Sequence, residues 1–524
     1  MRKQLSTSVY TFRDVINENL MYVDKTECIY CMVSKVKGQI FLARPRRFGK
    51  SMTLSTLESF FKGERELFKG LYLYDRDIEW KKYPVIRMAL NKLSSLTHDE
   101  LEENLTITVK KIAEDHSIVL KTKRSYQRFQ ELIEELYKKA GPVVILIDEY
   151  DKPILDNILN TEEVQKIRTL LKGFYGIIKA CEEYLRFTFI TGVSKFTQVS
   201  VFSDLNNLDD ISMKDEYASL CGFTQEECEH YFAEWIEENA LHHTLTKDAY
   251  LAKIKQLYDG IRFSRSEVRV YNPVSFTRAM DDKRFDHYWF ETGTPSFLLK
   301  LLKQKEYPVT NLEKLEVKSS AFSSYDIDRL RIEPLLYQTG YLTIKEYDEH
   351  TGIYTLGYPN KEVRQSFVEY LTDYFTPVSR IDSTSLLARF MRAVQNSDID
   401  EMFDVLNSFY RKIDYDIKLK HEKYYQSIFY IFFTLLGYMV KVEVHTNKGR
   451  MDAVVFSDSD IYIFEFKLDS SPDAALKQIK EREYYKKYVD DKRNLTLFGV
   501  SFTSETGEIK EWKMEKQSNN LLDN

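Results

Sequence analysis

The sequence is short of cysteine, glycine and proline, carries no excess of positive charge, and has no apolar run long enough to cross a membrane. Five Cys in 524 residues are too few, and odd in number, for a disulfide framework. Cys28 and Cys31 form one C-x-x-C, but no second pair or His cluster stands at zinc spacing, so two thiols in a reduced cytoplasm is the plain reading. Eighteen Gly and eleven Pro exclude collagen-like and Gly/Pro-rich low-complexity chains. The formal charge is −6, and residues 420–524 hold 16 Lys+Arg against 17 Asp+Glu. Any contact with nucleic acid must therefore use local basic patches. The N-terminal MRKQLSTSVYTFRDVINENL lacks an apolar stretch, so no secretory signal is expected. Tyr424–Val440 is uncharged for 17 residues, whereas a membrane span needs about 20 apolar ones. That run also holds Gln426, Ser427 and Thr434, so it reads as a buried core helix followed by a strand. A cytoplasmic protein without a membrane partner is the expectation. No internal repeat is visible, which excludes a solenoid.

What is present is aromatic and apolar material for several cores, with 36 Tyr, 33 Phe and 43% hydrophobic residues. At roughly 150 residues per domain, three or four domains are expected. The pattern divides at 1–225, 226–375 and 376–524. In the first part, short apolar runs at 39–43, 84–90, 142–148 and 185–191 alternate with helix-like segments, such as Leu101, Leu105, Val109 and Ile112. This alternation predicts an α/β fold with a parallel sheet covered on both faces. In the second part, 331–340 reads as a helix ending at Gly340, and 341–347 with 352–358 as a hairpin around Asp348-Glu349-His350-Thr351. A winged-helix-like module and any small α+β unit fit this equally. The third part reads as helices, then strands at 441–446, 451–456 and 461–467, a helix from Ala474 to Tyr488, and a strand at 494–502.

ARPRRFGKS (43–51) follows a strand and opens a helix. Gly49, Lys50 and Ser51 form the end of a phosphate-binding loop: backbone N–H groups for phosphate oxygens, a Lys for the β/γ-phosphates and a hydroxyl for Mg²⁺. The first glycine of the full G-x-x-x-x-G-K-S pattern is replaced by Arg44. IDEYD (147–151) ends another apolar strand, where a carboxylate lies near the phosphates of such sheets. Asp148 is placed to hold the Mg²⁺ shell, and Glu149 to polarise an attacking water. Thr191 ends the next strand as a candidate sensor between Asp148 and the γ-phosphate. Arg44, Arg46 and Arg47 either assist the phosphates or pair with carboxylates. Asp24 either contacts the adenine edge or caps a helix, and Ser194 and Lys195 either face nucleotide or make a turn. ATP and Mg²⁺ are the expected cofactors.

A second constellation lies near the C-terminus. Glu465 and Lys467, two residues apart on a strand, project to one face, and Asp452 on a neighbouring strand can join them. Two carboxylates can hold Mg²⁺, and the lysine can hold a water or stabilise the transition state. An E-x-K on an edge strand is common surface decoration, but IYIF before EFK makes this a buried central strand, where unpaired charge is costly. Glu422 is a candidate outer carboxylate, Gln478 a candidate orienting residue, and Gly449-Arg450 the lead-in to Asp452.

YVDKT (22–26), RPRRFGKS (44–51), LIDEYD (146–151), 190–212, YDGIRF (258–263) with YNPVS (271–275), and GYPNKEVR (357–364) resemble the bacterial AAA-ATPase-like family. GRMDAVV (449–455), YIFEFKL (462–468) and 475–488 resemble the PD-(D/E)XK nuclease domain fused to its C-terminus. The resemblance implies a P-loop ATPase, a helical or winged-helix-like linker and a restriction-endonuclease-like α/β domain in a cytoplasmic bacterial protein. It implies that Arg44 is the family's habit at that position. Arg44, Lys50, Ser51, Asp148 and Glu149 carry over to nucleotide, and Asp452, Glu465 and Lys467 to the nuclease core. The leading expectation is an ATP-regulated, Mg²⁺-dependent nuclease acting on DNA. The alternatives are an ATP-driven nucleic-acid-binding or assembly switch with an inactive nuclease fold, and a role without nucleic acid in which the charged residues are structural. A homo-oligomer is admitted, since ATPases of this class often take an arginine from a neighbour.

Overall fold

Near-continuous Val, Ile, Leu and Phe in four short runs produce strands buried on both faces, as helix-covered parallel sheets require. The computed structural model describes residues 2–35, 37–93, 97–195, 207–289, 298–299, 301–302, 307, 312, 314–319, 322, 332–375, 386, 388–390, 392–393, 396, 398–411, 429–430, 433, 439–446, 449–456, 459–488, 491 and 493–517. These residues fall into two compact units, one of residues 1–302 and 314–363, the other of 303–313 and 364–524.

In the first unit β1 (Gly38–Ala43), β2 (Val85–Ala89), β3 (Val143–Asp148), β4 (Leu185–Gly192) and β5 (Asp209–Asp210) form a parallel sheet in the order β2-β3-β4-β1-β5. Because β1 and β3 both run parallel to the β4 between them, the loop after β1 and the acidic end of β3 reach the same side of the sheet. The covering helices are punctuated as their sequences suggest. Thr97 and Glu100 make a reciprocal capping box at helix His98–Asp115, and Gly141 at φ +87° ends helix Ser125–Ala140.

Helices Gln225–Tyr231, Ala233–His242, Lys247–Tyr258 and Pro273–Asp282 build a second core around Phe232, Ile236, Tyr250, Phe276 and Met280. Strands β6 (Leu315–Lys318), β7 (Thr343–Asp348) and β8 (Ile353–Gly357) form an antiparallel sheet ordered β6-β8-β7. The helix Ile332–Gln338 precedes the β7–β8 hairpin, as the sequence predicts, and Gly340 beyond it takes φ +85°. Every residue of that helix but Glu333 is buried.

The second unit carries a mixed sheet of β9 (Met439–Thr446), β10 (Gly449–Phe456), β11 (Asp460–Leu468), β12 (Asn494–Phe502) and β13 (Ile509–Gln517), ordered β13-β12-β11-β10-β9. The predicted strand ending in EFK is thus the central one, antiparallel to β10 and parallel to β12. Ile461 and Ile463 share a core with Leu476 and Ile479 of helix Pro472–Glu481. Three expectations change. Most of the expected helix 424–440 lies outside the described residues, but Met439 and Val440 open β9. The helix expected to Tyr488 stops at Glu481, because Glu483 takes φ +53° before a 3-10 turn at Tyr484–Tyr488. The closing strand β13 was not expected.

Candidate functional site

The first site forms where β1 gives way to helix Lys50–Phe61. Gly49 is the cap of that helix, at φ +95° and ψ 13°. A Cβ there would meet nothing within 4 Å, so the left-handed backbone, not crowding, favours glycine. Lys50 Nζ donates to the carbonyls of Arg44 (3.0 Å) and Pro45 (2.8 Å). Burial pulls the Lys50 ammonium below the ordinary lysine range, against the opposing pull of Glu149 and Asp148. Ser51 Oγ donates to Asp148 Oδ2 at 2.6 Å, and Thr191 Oγ1 donates to Asp148 Oδ1 at 3.2 Å. Loop, acid and β4 threonine therefore meet as the sequence requires.

A cleft of about 390 Å³ opens in front of this loop. Its walls include Arg46, Arg47, Gly49, Lys50, Ser51 and Glu149, together with Tyr10, Tyr22, Val23, Phe223, Phe232 and Val274. This is the size and mixture of a small-ligand pocket, with charged, aromatic and apolar groups in its wall. Glu149 sits at φ +52°, a strained position for a non-glycine residue. Burial raises its carboxyl, while Lys50 pulls it back. Arg47, also at positive φ (+65°), is half-buried in the cleft wall.

Two of the expected nucleotide ligands lie outside the cleft wall. Arg44 is 2% exposed and does not line the cleft. Its guanidinium donates to the carbonyls of Ala43 (3.0 Å), Ser212 (2.6 Å) and Tyr217 (3.1 Å), and stacks over Phe263 at 4.1 Å. With Nη1 and Nη2 bonded to these carbonyls and only the buried Nε left without a partner, its side chain braces the loop against the segment after β5. Thr191 is fully buried and also outside the cleft wall, so its hydroxyl positions Asp148. Asp24, Ser194 and Lys195 each have partners within the protein. Asp24 accepts from the Thr26 amide at the start of helix Thr26–Val33 (2.8 Å) and from the Tyr72 amide (2.7 Å). Ser194 donates to Asp151, and Lys195 pairs with Asp210 at 2.8 Å.

The second site lies on the sheet of the second unit. Ala453 pairs with Phe464, so the next step of the register sets Asp452 across from Glu465 on one face. Asp452 Oδ2 accepts from the Phe466 amide at 2.7 Å. Lys467 Nζ donates to Glu465 Oε1 at 3.1 Å, and Gln478 Nε2 donates to the same oxygen. Glu465 is 1% exposed, and its Oε2 is buried with no hydrogen-bond partner. Burial, then Asp452, pushes its carboxyl up to about 8, against Lys467. Asp452, Glu465, Lys467 and Gln478 are thus brought together, while Glu422 lies outside the described residues.

Sequence reasoning missed Gly499. It pairs with Glu465 across β11 and β12, and a Cβ there would run into the Pro472 carbonyl oxygen. Only glycine lets helix Pro472–Glu481 come close enough to set Gln478 on Glu465. The signal was available, since a glycine inside the strand pattern NLTLFGVSF marks a close backbone approach.

Residues 6–202 match the family described as Predicted AAA-ATPase, and residues 420–512 match the PD-(D/E)XK nuclease superfamily. An uncharacterized protein in the vnfD 5′ region of Azotobacter chroococcum mcd 1 is 34% identical over 526 residues, covering 97% of this chain and 98% of its own length.

Proposed function

Because the chain belongs to the AAA-ATPase-like proteins that carry a C-terminal PD-(D/E)XK nuclease superfamily domain, we propose that it binds and hydrolyses ATP and uses that nucleotide to govern Mg²⁺-dependent hydrolysis of DNA phosphodiesters. The proposed division of labour is 1–225 for nucleotide, 226–375 for linkage and for the part of the cleft wall that Phe232 and Val274 supply, and 376–524 for cleavage, in a cytoplasmic setting. Free cysteines agree with that setting, and no helix among the described residues is long and apolar enough to cross a membrane.

The observation that carries the reading is Glu465. A carboxylate this buried, with one oxygen unpartnered and a second carboxylate beside it, is costly unless a cation takes the place of the missing partners. Asp452 and Glu465 fit Mg²⁺, which prefers hard oxygen ligands. When bound, the ion acidifies a water and offsets charge developing on the scissile phosphate. Gln478 and Lys467 fix the Glu465 carboxylate, and the Lys467 ammonium stands beside it to steady that water and the departing negative charge.

At the other site the Gly49 cap and the N–H groups of helix Lys50–Phe61 suit phosphate oxygens, and Ser51 with Asp148 suits the accompanying Mg²⁺. Glu149 lines the cleft, its carboxyl raised by burial and held back by Lys50, and is the base that orients the attacking water. The aromatic residues of the cleft wall take the adenine.

The test is cleavage of plasmid, linear and single-stranded DNA with Mg²⁺ or Mn²⁺, with and without ATP. Cleavage should be lost in Glu465→Ala, while in Lys50→Ala only its response to ATP should disappear. The near balance of charge in residues 420–524 favours a second reading, an ATP-driven binding switch with an inactive nuclease fold. ATP turnover that Lys50→Ala abolishes, beside no cleavage by the wild type, would select it.

A further inference from the structure

The phosphate loop is braced from behind by groups that the nucleotide reading does not use. The Phe48 ring meets Trp289 edge-on at 6.2 Å, and Trp289 meets Tyr341 at 6.1 Å. Gly340 makes the room: a Cβ there would stand 2.8 Å from Trp289 Cη2 and 3.0 Å from Pro45. Trp289, Gly340, Pro45 and Phe48 therefore form one packed contact, with two of its members inside the loop.

The other side of Trp289 is fixed by a carboxyl. Its backbone N–H donates to Glu362 Oε1 at 2.7 Å. Glu362 is 1% exposed, and its Oε2 has no hydrogen-bond partner. Burial pushes that carboxyl up to about 8 despite the Trp289 amide, the Ser275 hydroxyl and the Tyr288 amide. An apolar side chain would occupy the place at less cost, so what Glu362 supplies is its polar ties, to Ser275 and to the Tyr288 and Trp289 amides, of which the Trp289 tie reaches the loop. Glu362 is also the second residue of helix Lys361–Phe375, and the chain passes into the second unit at Arg364. A parallel tie runs from the end of β4, where the Lys195 amide donates to Gln338 Oε1 at 2.9 Å.

We propose that Trp289, held by Glu362, is a positioning residue for the phosphate loop, and that it links nucleotide binding at the loop to the helix Lys361–Phe375. The proposal rests on the nucleotide reading above. A triphosphate competes with the Arg44 and Pro45 carbonyls for the Lys50 ammonium. Released from it, Pro45 repacks against Trp289 and Gly340. The Glu362 tie carries that change to the start of the helix. The linkage is reciprocal, so disturbing the tie also alters nucleotide affinity.

Hydrogen exchange of the full chain, with and without Mg·ATP, tests this in the wild type, Trp289→Ala and Glu362→Ala. In the wild type, nucleotide should slow exchange about tenfold both at 50–61 and at 361–369, the scale of ordinary allosteric coupling. Both variants should keep the slowing at 50–61 and lose it at 361–369. If one variant fails to fold, the other decides. Slowing at 50–61 alone in the wild type overturns the linkage and leaves the nucleotide reading standing. Equal slowing at 361–369 in a folded variant also overturns it. No slowing at either segment in the wild type overturns the nucleotide reading, and the proposal with it.

Discussion

Replacing Glu465 by Gln should abolish cleavage and yet stabilise the second unit. The Glu465 carboxyl is raised from 4.5 to about 8, chiefly by burial. A carboxyl whose pKa is higher in the fold than in the unfolded chain binds more protons when folded, so stability falls as pH rises from about 4.5 to about 8 and is flat above that. At pH 7 the group costs up to about 3 kcal/mol, at about 1.4 kcal/mol per pH unit. Gln keeps an oxygen for Lys467 and Gln478 but leaves an amide N–H where Oε2 has no partner, a cost of about 1 kcal/mol. The variant should therefore be more stable by about 2 kcal/mol at pH 7 and about 4 kcal/mol above pH 8, and no more stable than the wild type below pH 4.5. The chain has two compact units, so one melting temperature does not define this quantity. The assay is hydrogen exchange of peptides covering 460–468 and 494–502, in chelator, between pH 4.5 and 8.5 after correction for intrinsic rates. Adding excess Mg²⁺ should then protect the wild type and not the variant. A variant less stable than the wild type at pH 7, or a gap that does not widen with pH, refutes the reasoning.

Gly499→Ala should push helix Pro472–Glu481 off β12 and cost about 1–3 kcal/mol, the usual range for overpacking; isothermal titration should show Mg²⁺ affinity falling as Gln478 leaves Glu465. Arg44→Lys should cost about 2 kcal/mol in unfolding of the first unit, because a lysine cannot reproduce a fork bonded to three carbonyls; weakened nucleotide binding at unchanged stability would instead return Arg44 to the phosphates. Lys50→Ala should remove nucleotide binding, read by titration with a fluorescent ATP analogue, while leaving Glu465-dependent cleavage in the absence of ATP.

The parts of the fold that were legible share one property, that local pattern and burial agree. The run PVVILID could be read as a buried parallel strand because every residue of β3 is buried. The acids and lysine of β10 and β11 could be grouped because a strand alternates faces with period two, and the pairing of Ala453 with Phe464 then sets Asp452 opposite Glu465. Where tertiary contact decides, the pattern misleads. IKEWKMEKQ has charges on both faces of an edge strand, so β13 shows no alternation to read.

Arg44 shows a deeper limit. A cation in a phosphate loop reads as a phosphate ligand, and nothing in ARPRRFGKS reveals that the carbonyls of Ser212 and Tyr217, far along the chain, will take up its guanidinium. The substitution at the first glycine position thus makes physical sense only in three dimensions. Arg44 bonds the strand end to the segment after β5, and its own carbonyl, with that of Pro45, holds Lys50. A loop that lacks its first glycine gains in this way a scaffold that glycine could not supply. The same scaffold sets Pro45 and Phe48 against Gly340 and Trp289, where the loop can be sensed from outside the nucleotide cleft.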